Sequence, residues 1–132
     1  MHGHTREISK ARLWIGRVLG TLAVLFFAMD GGMKLFRPAF VVQATTQLGY
    51  PESSILGIGL VLLVCTALYA IPRTAVWGAI LVTGYLGGAI ASKVRIGAPV
   101  FDIAFAIVFA VIVWAALALR DRRLQRILFA TD

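Results

Sequence analysis

Charge is scarce in this 132-residue sequence. Charged residues make up 14% of the chain and hydrophobic residues 60%. In typical soluble domains about 25% of residues are charged and about 45–50% are apolar. The mean hydropathy is correspondingly high, at +0.88. A chain this small has a large surface relative to its volume and would need more polar surface than it holds. The composition therefore excludes an ordinary water-soluble globule and a disordered chain.

Acidic residues are scarcer still than basic ones, and the formal net charge is +7. A basic chain can be a nucleic-acid binder, but here the Lys and Arg residues stand at the ends of long apolar runs. Basic residues in that position act as topology signals of membrane proteins. We therefore expect the lipid bilayer to be a partner of this chain and nucleic acid not to be one.

Cysteine and histidine are nearly absent. The single Cys65 excludes an internal disulfide and a CxxC site, and the only histidines, His2 and His4, stand at the N-terminus. A haem held by two transmembrane histidines, a Glu-x-x-His di-iron site and a Ser–His hydrolase are thereby excluded within the chain. We expect no metal site and no cofactor held by the chain itself, and the sequence leaves a lipophilic ligand open.

Four long apolar runs dominate what is present. Crossing a bilayer core of about 30 Å takes about 20 helical residues. The runs predict membrane-spanning helices at about 11–36, 53–71, 74–95 and 99–120, with a basic tail at 120–132. The first run could instead be a signal peptide, but Arg17 interrupts it and no A-x-A site follows. We predict an all-α membrane protein, an antiparallel four-transmembrane-helix bundle that forms a single domain over 1–132.

The connections between the runs carry turn signals. Residues 72–74 and 97–99 each contain proline and predict tight turns. The longer 37–54 connection has Pro38 where a helix can begin and Gly49 where it can end. We predict a short interfacial helix there, between the first and second spans, with a flexible loop as the alternative.

Basic residues are distributed unequally between the two ends of the predicted bundle. With four spans, both termini and the 72–74 turn share one side, which holds nine Lys and Arg residues against four on the other. This bias predicts that both termini are cytoplasmic.

Small residues on the helices predict where the helices can approach closely. Gly16 and Gly20 form a GxxxG pair on the first span, and Gly84 and Gly88 form one on the third. Such pairs let helix backbones pack tightly in lipid, either within a bundle or between two copies of a chain.

Charged residues near the non-cytoplasmic ends of the spans are the candidate site. Asp30 and Lys34 stand four residues apart with the acid first, the favourable order for an ion pair on a helix. Tyr85 could donate a hydrogen bond from the third span. Two interpretations remain open: the charges are solvated at the membrane interface, or they line a small polar pocket in which Asp30 accepts a proton or anchors a ligand. The pocket candidates are Asp30, Lys34, Tyr85, Lys93, Arg95 and Asp102.

Several segments, in order along the chain, resemble the DoxX-like family. The first is Asp30-Gly31 followed by Lys34, and the others are residues 48–51, 71–81, 83–89 and 94–99. The resemblance covers roughly residues 12–125. It implies a four-helix protein of the bacterial inner membrane, and a link to membrane oxidoreductase assemblies that include quinone-linked sulfur oxidation. The chain departs from the pattern at Lys93, where members often have histidine.

Three functions are compatible with these features. The resemblance favours an accessory or quinone-proximal subunit of a membrane redox complex, whose partners would be oxidoreductase subunits or further copies of the chain. The polar pocket favours a stand-alone enzyme or binding protein for a lipophilic small molecule. A small oligomeric transporter is the third and least favoured, because Asp30 lies near one end of its span and has Lys34 as a partner.

Overall fold

The computed structural model describes the backbone of residues 2–121 and 124, and the side chains of residues 10–121 and 124. The histidines at the N-terminus and most of the predicted basic tail have side chains outside this part. The described chain forms five α-helices, and short 3-10 turns at Glu52–Ser54 and Pro72–Thr74 precede two of them. The helices are α1 (His2–Phe36), α2 (Ala39–Gln47), α3 (Ile55–Ala70), α4 (Ala75–Arg95) and α5 (Val100–Arg120).

Four of these helices are long and apolar enough to cross a membrane. The spans are Lys10–Phe36, Glu52–Ala70, Pro72–Arg95 and Val100–Arg120. The second span is the shortest, and it reaches 19 residues only because the turn at Glu52–Ser54 extends the 16 residues of α3. The predicted all-α membrane fold with four spans is confirmed.

The four spanning helices form a ring. Each packs against its neighbours along the chain, α1 on α3, α3 on α4 and α4 on α5, and α5 closes the ring on α1. The diagonal pairs, α1 with α4 and α3 with α5, make no comparable contact. The connections from α3 to α4 and from α4 to α5 are short, which favours antiparallel neighbours and this up-and-down order. We call the end of the bundle that carries α2 the α2 end, and the end with the turn at Pro72–Thr74 the turn end.

Tight packing holds the turn end together. A Cβ atom on Gly78 would overlap the backbone of Tyr69, so α3 and α4 approach each other there more closely than a side chain would allow. The Tyr69 hydroxyl donates a hydrogen bond of 2.8 Å to the backbone carbonyl of Val113, which ties α3 to α5 across the ring. Buried apolar side chains fill the space between the helices: Ala23, Phe27, Leu62, Cys65, Tyr69, Val82, Val113 and Leu117.

The short helix α2 has the ends that the sequence predicts. Pro38 precedes it with extended backbone, and Leu48 ends it. Gly49 follows with a φ of +96°, a conformation that residues with a side chain rarely adopt, so the chain turns back toward α3 at a position where glycine is favoured. Val41 and Thr45 are the buried residues of α2, and the helix contacts the end of α1 and the turn at Glu52–Ser54. The predicted short helix between the first and second spans is confirmed.

The two GxxxG pairs have different surroundings. A Cβ atom on Gly16 would lie 2.9 Å from the carbonyl oxygen of Ala116, so this glycine allows α1 and α5 to touch. Gly84 and Gly88 have no atom within 4 Å of the corresponding position. These two glycines therefore make no close contact with another helix among the described residues.

Candidate functional site

A cavity of about 780 Å³ lies between the four spanning helices at the α2 end. All four spanning helices line it, among them Phe26 in α1, Gly57 in α3, Gly84 in α4 and Phe105 in α5, and residues of α2 form one side. The volume falls within the range of about 300–1,000 Å³ that is usual for small-molecule sites. The diagonal helices stay apart, and α4 contributes two glycines, Gly84 and Gly88, to the wall.

Aromatic rings form one wall of the cavity. The rings of Phe26 and Phe109 stack with centroids 4.1 Å apart, and Phe105 lies 5.0 Å from Phe109. Phe27 meets Phe109 edge-on at 5.7 Å. We call Phe26, Phe27, Phe105 and Phe109 the aromatic wall. The sequence analysis did not single it out, although the spacing of four residues between Phe105 and Phe109 places both rings on one face of α5.

Asp30 and Lys34 form an ion pair at the cavity. The Lys34 Nζ atom lies 2.7 Å from Oδ1 of Asp30, one helical turn earlier in α1. The side chain of Lys34 is only 13% exposed and that of Asp30 is 39% exposed. The pair neutralises both of its charges within one helix.

Lys93 lines the cavity from α4 without an acidic partner. Its Nζ atom lies 3.5 Å from the backbone carbonyl oxygen of Asp102, at the outer limit of hydrogen-bond distance. Among the described residues no carboxylate pairs with this ammonium group. Asp102 itself is not part of the cavity lining, and it contributes only its backbone to Lys93.

Hydroxyl groups add polarity to the same end of the cavity. The Tyr50 hydroxyl and the Ser92 Oγ atom are 2.6 Å apart, and Ser92 also donates to the carbonyl oxygen of Gly88 at 2.9 Å. The Tyr85 ring lines the cavity two helical turns before Lys93, and its hydroxyl makes no hydrogen bond to another described residue. The sequence analysis did not propose Tyr50 or Ser92 as pocket residues, although both stand near the predicted connections.

Arg95 has a structural position outside the cavity lining. Its Nη2 atom donates a hydrogen bond of 3.0 Å to the carbonyl oxygen of Leu48, the residue that follows the short helix, and its guanidinium packs against Gly49. Of the six predicted pocket residues, Asp30, Lys34, Tyr85 and Lys93 therefore meet at one cavity, while Arg95 and Asp102 lie beside it.

The lining fits an amphiphilic organic molecule better than a metal ion. No group of three or more Cys, His, Asp or Glu side chains that could hold a metal occurs among the described residues. The aromatic wall offers ring faces on which a planar group can stack. Tyr85 and Lys93 supply hydrogen-bond donors of the kind that a carbonyl oxygen accepts.

Comparison with known proteins identifies the family of the chain. A family model described as the DoxX-like family matches residues 18–116, about three quarters of the sequence. No curated protein matches the chain, and no solved structure does. The matched range includes the whole of the second and third spans, most of the first and fourth, and every residue that lines the cavity. This multi-pass membrane protein therefore belongs to the DoxX-like family.

Proposed function

We propose that the protein binds a lipophilic small molecule with a polar head group in the cavity at the α2 end. The observation that carries the proposal is the division of the cavity lining into two parts. Asp30, Lys34, Ser92 and Lys93 stand within two turns of the helix ends at the α2 end, beside apolar residues of α2, and the aromatic wall extends from there into the bundle. An amphiphile with its tail in the bundle and its head near α2 matches this division.

A cavity-filling substitution tests the binding proposal. Gly88 lines the cavity and has open space where a side chain would project, so Gly88→Leu fills volume that a ligand would occupy. Gly87 also has open space but does not line the cavity, which makes Gly87→Leu the matched control. In nanodiscs, we expect a short-tailed benzoquinone to bind the Gly88→Leu protein at least tenfold more weakly than the Gly87→Leu protein. That factor corresponds to about 1.4 kcal/mol of binding free energy. Equal affinity for both variants would contradict the proposal.

We further propose that this binding serves a membrane redox assembly, in which the protein is an accessory, quinone-proximal subunit. Membership of the DoxX-like family supports this role, since the resemblance implies a link to membrane oxidoreductases, and a site that fits a quinone suits such a subunit. Affinity purification from native membranes in mild detergent tests it. We expect an oxidoreductase to co-purify with the protein, whereas recovery of the chain alone or only as a homo-oligomer would count against the role.

We also infer that the protein lies in the bacterial inner membrane with both termini in the cytoplasm. The excess of Lys and Arg on the side of the termini supports this orientation, as does the even number of spans. The α2 end and the mouth of the cavity then face away from the cytoplasm.

A further inference from the structure

We infer that the head group preferred by this cavity is an acid, either a carboxylate or a phosphate, and that Lys93 is the residue that selects it. The inference rests on the proposed binding function and adds the chemical class of the ligand. It follows from the charges around the cavity, from the partners those charges have, and from the position of Lys93 relative to the hydroxyl groups.

Three formal charges line the cavity, and one of them is uncompensated. Asp30 and Lys34 neutralise each other at 2.7 Å. Lys93 is left with a backbone carbonyl oxygen at 3.5 Å as its polar contact. The lining therefore carries a net charge of one positive unit, located on α4.

An ammonium group in partly apolar surroundings is stabilised by a negative partner. Lys93 is half-buried, so it has lost part of its hydration without gaining an ion pair in return. A charge-assisted hydrogen bond from an ammonium group to an anion is roughly twice as strong as one between neutral groups. A neutral head group such as a ketone would accept a hydrogen bond from Lys93 but leave its charge uncompensated.

The surroundings of Lys93 suit a head group with several acceptor oxygens. Ser92 and Tyr50, already hydrogen-bonded to each other, line the cavity beside it. Along α4 the lining continues from Lys93 back to Gly84, a distance of about 13 Å at about 1.5 Å per residue. An acidic head at Lys93 would thus place an attached apolar tail along the bare α4 backbone and toward the aromatic wall.

A pair of probes that differ only in head-group charge tests the inference. The probes are a fluorescent polyene fatty acid and the alcohol of the same chain, and the protein is held in phosphatidylcholine nanodiscs at pH 8. We expect the acid to bind at least about tenfold more tightly than the alcohol. Lys93→Gln should remove this preference by weakening acid binding alone, and Lys93→Arg should keep it. Lys10→Gln is the matched control, because Lys10 is exposed and lies outside the cavity lining.

The outcomes separate this inference from the proposed function. Equal affinity for acid and alcohol would overturn the acidic head group while leaving the lipophilic site intact, and binding of neither probe would overturn both. Equal weakening of both probes by Lys93→Gln would show a loss of structure rather than of selectivity and would also overturn the inference. Displacement of the bound acid by added phosphatidylglycerol would identify a bilayer lipid as the source of the head group, and its absence would identify a free acid.

Discussion

At the scale of single residues, the ion pair of Asp30 and Lys34 has the clearest energetic consequence. Lys34 is the more buried partner, and its hydrogen bond to the Asp30 carboxylate is 2.7 Å long. Removing one partner of a buried pair leaves the other charge desolvated and unpaired, whereas removing both leaves no such charge. The pair is therefore best tested by comparing single and double variants.

We predict that Asp30→Asn lowers the stability of the bundle and that the double variant Asp30→Asn with Lys34→Gln recovers part of the loss. The single change should cost about 1–3 kcal/mol, the range for a buried polar group that loses its partner. Thermal unfolding in detergent, with the folded fraction monitored by size-exclusion chromatography, measures the stability of the single and the double variant. A double variant less stable than the single one would show that the pair is not the reason for the loss.

Some contacts of single residues can be predicted from the sequence, and others cannot. The spacing of Asp30 and Lys34 predicts that they share a helix face, because residues four apart are neighbours on any helix. The position of Arg95 could not be read in the same way. Its partner, the carbonyl oxygen of Leu48, is 47 residues away in sequence, and only the fold of the connection brings the two together.

At the scale of helices, the packing of α3 against α4 is tighter at the turn end than beside the cavity. They touch at Gly78 and Tyr69 near the turn end, while at the α2 end Gly57 and Gly84 face open space and line the cavity. GxxxG spacing alone predicts that Gly84 and Gly88 permit close packing, but it does not say which face of α4 meets a neighbour. That depends on how the helix is rotated in the ring, which is a tertiary property.

We predict that Gly78→Ala strongly destabilises the protein and that Gly87→Ala does not. A methyl group at Gly78 would overlap the Tyr69 backbone, which cannot move aside without separating α3 from α4. Overpacking of this kind costs about 1–3 kcal/mol or more. Gly87 has open space around it and serves as the control on the same helix. Thermal unfolding measures both variants, and a Gly78→Ala protein as stable as the wild type would contradict the close contact.

At the scale of the whole molecule, the fold was more predictable than the site. Four apolar runs of the length needed to cross a bilayer, separated by proline-containing turns, determine the number of spans and their alternating direction. A polar pocket was one of two interpretations of the sequence, but its size and its aromatic wall could not be predicted, because they depend on the distance between helices that are not neighbours along the chain. Phe26 and Phe109, which stack at 4.1 Å, are 83 positions apart in the sequence and become neighbours only when α5 closes the ring.

The proposed orientation leads to a labelling prediction for the whole molecule. In a Cys65→Ala background, which removes the only native cysteine, single cysteines are placed at Gln47 in α2 and at Arg73 in the turn between α3 and α4. Both positions are exposed. We expect a membrane-impermeant maleimide to label Gln47→Cys in spheroplasts and Arg73→Cys only after the membrane is permeabilised. The reverse pattern would invert the orientation, and labelling of both without permeabilisation would contradict the spans.

The central claim is that the cavity at the α2 end holds an amphiphile, and native mass spectrometry of the protein extracted from its own membranes tests it most directly. The account predicts that the wild type and the Gly87→Leu control carry a bound amphiphile and that Gly88→Leu carries none. Bare protein masses for the wild type, or the same adduct on Gly88→Leu as on the control, would contradict it.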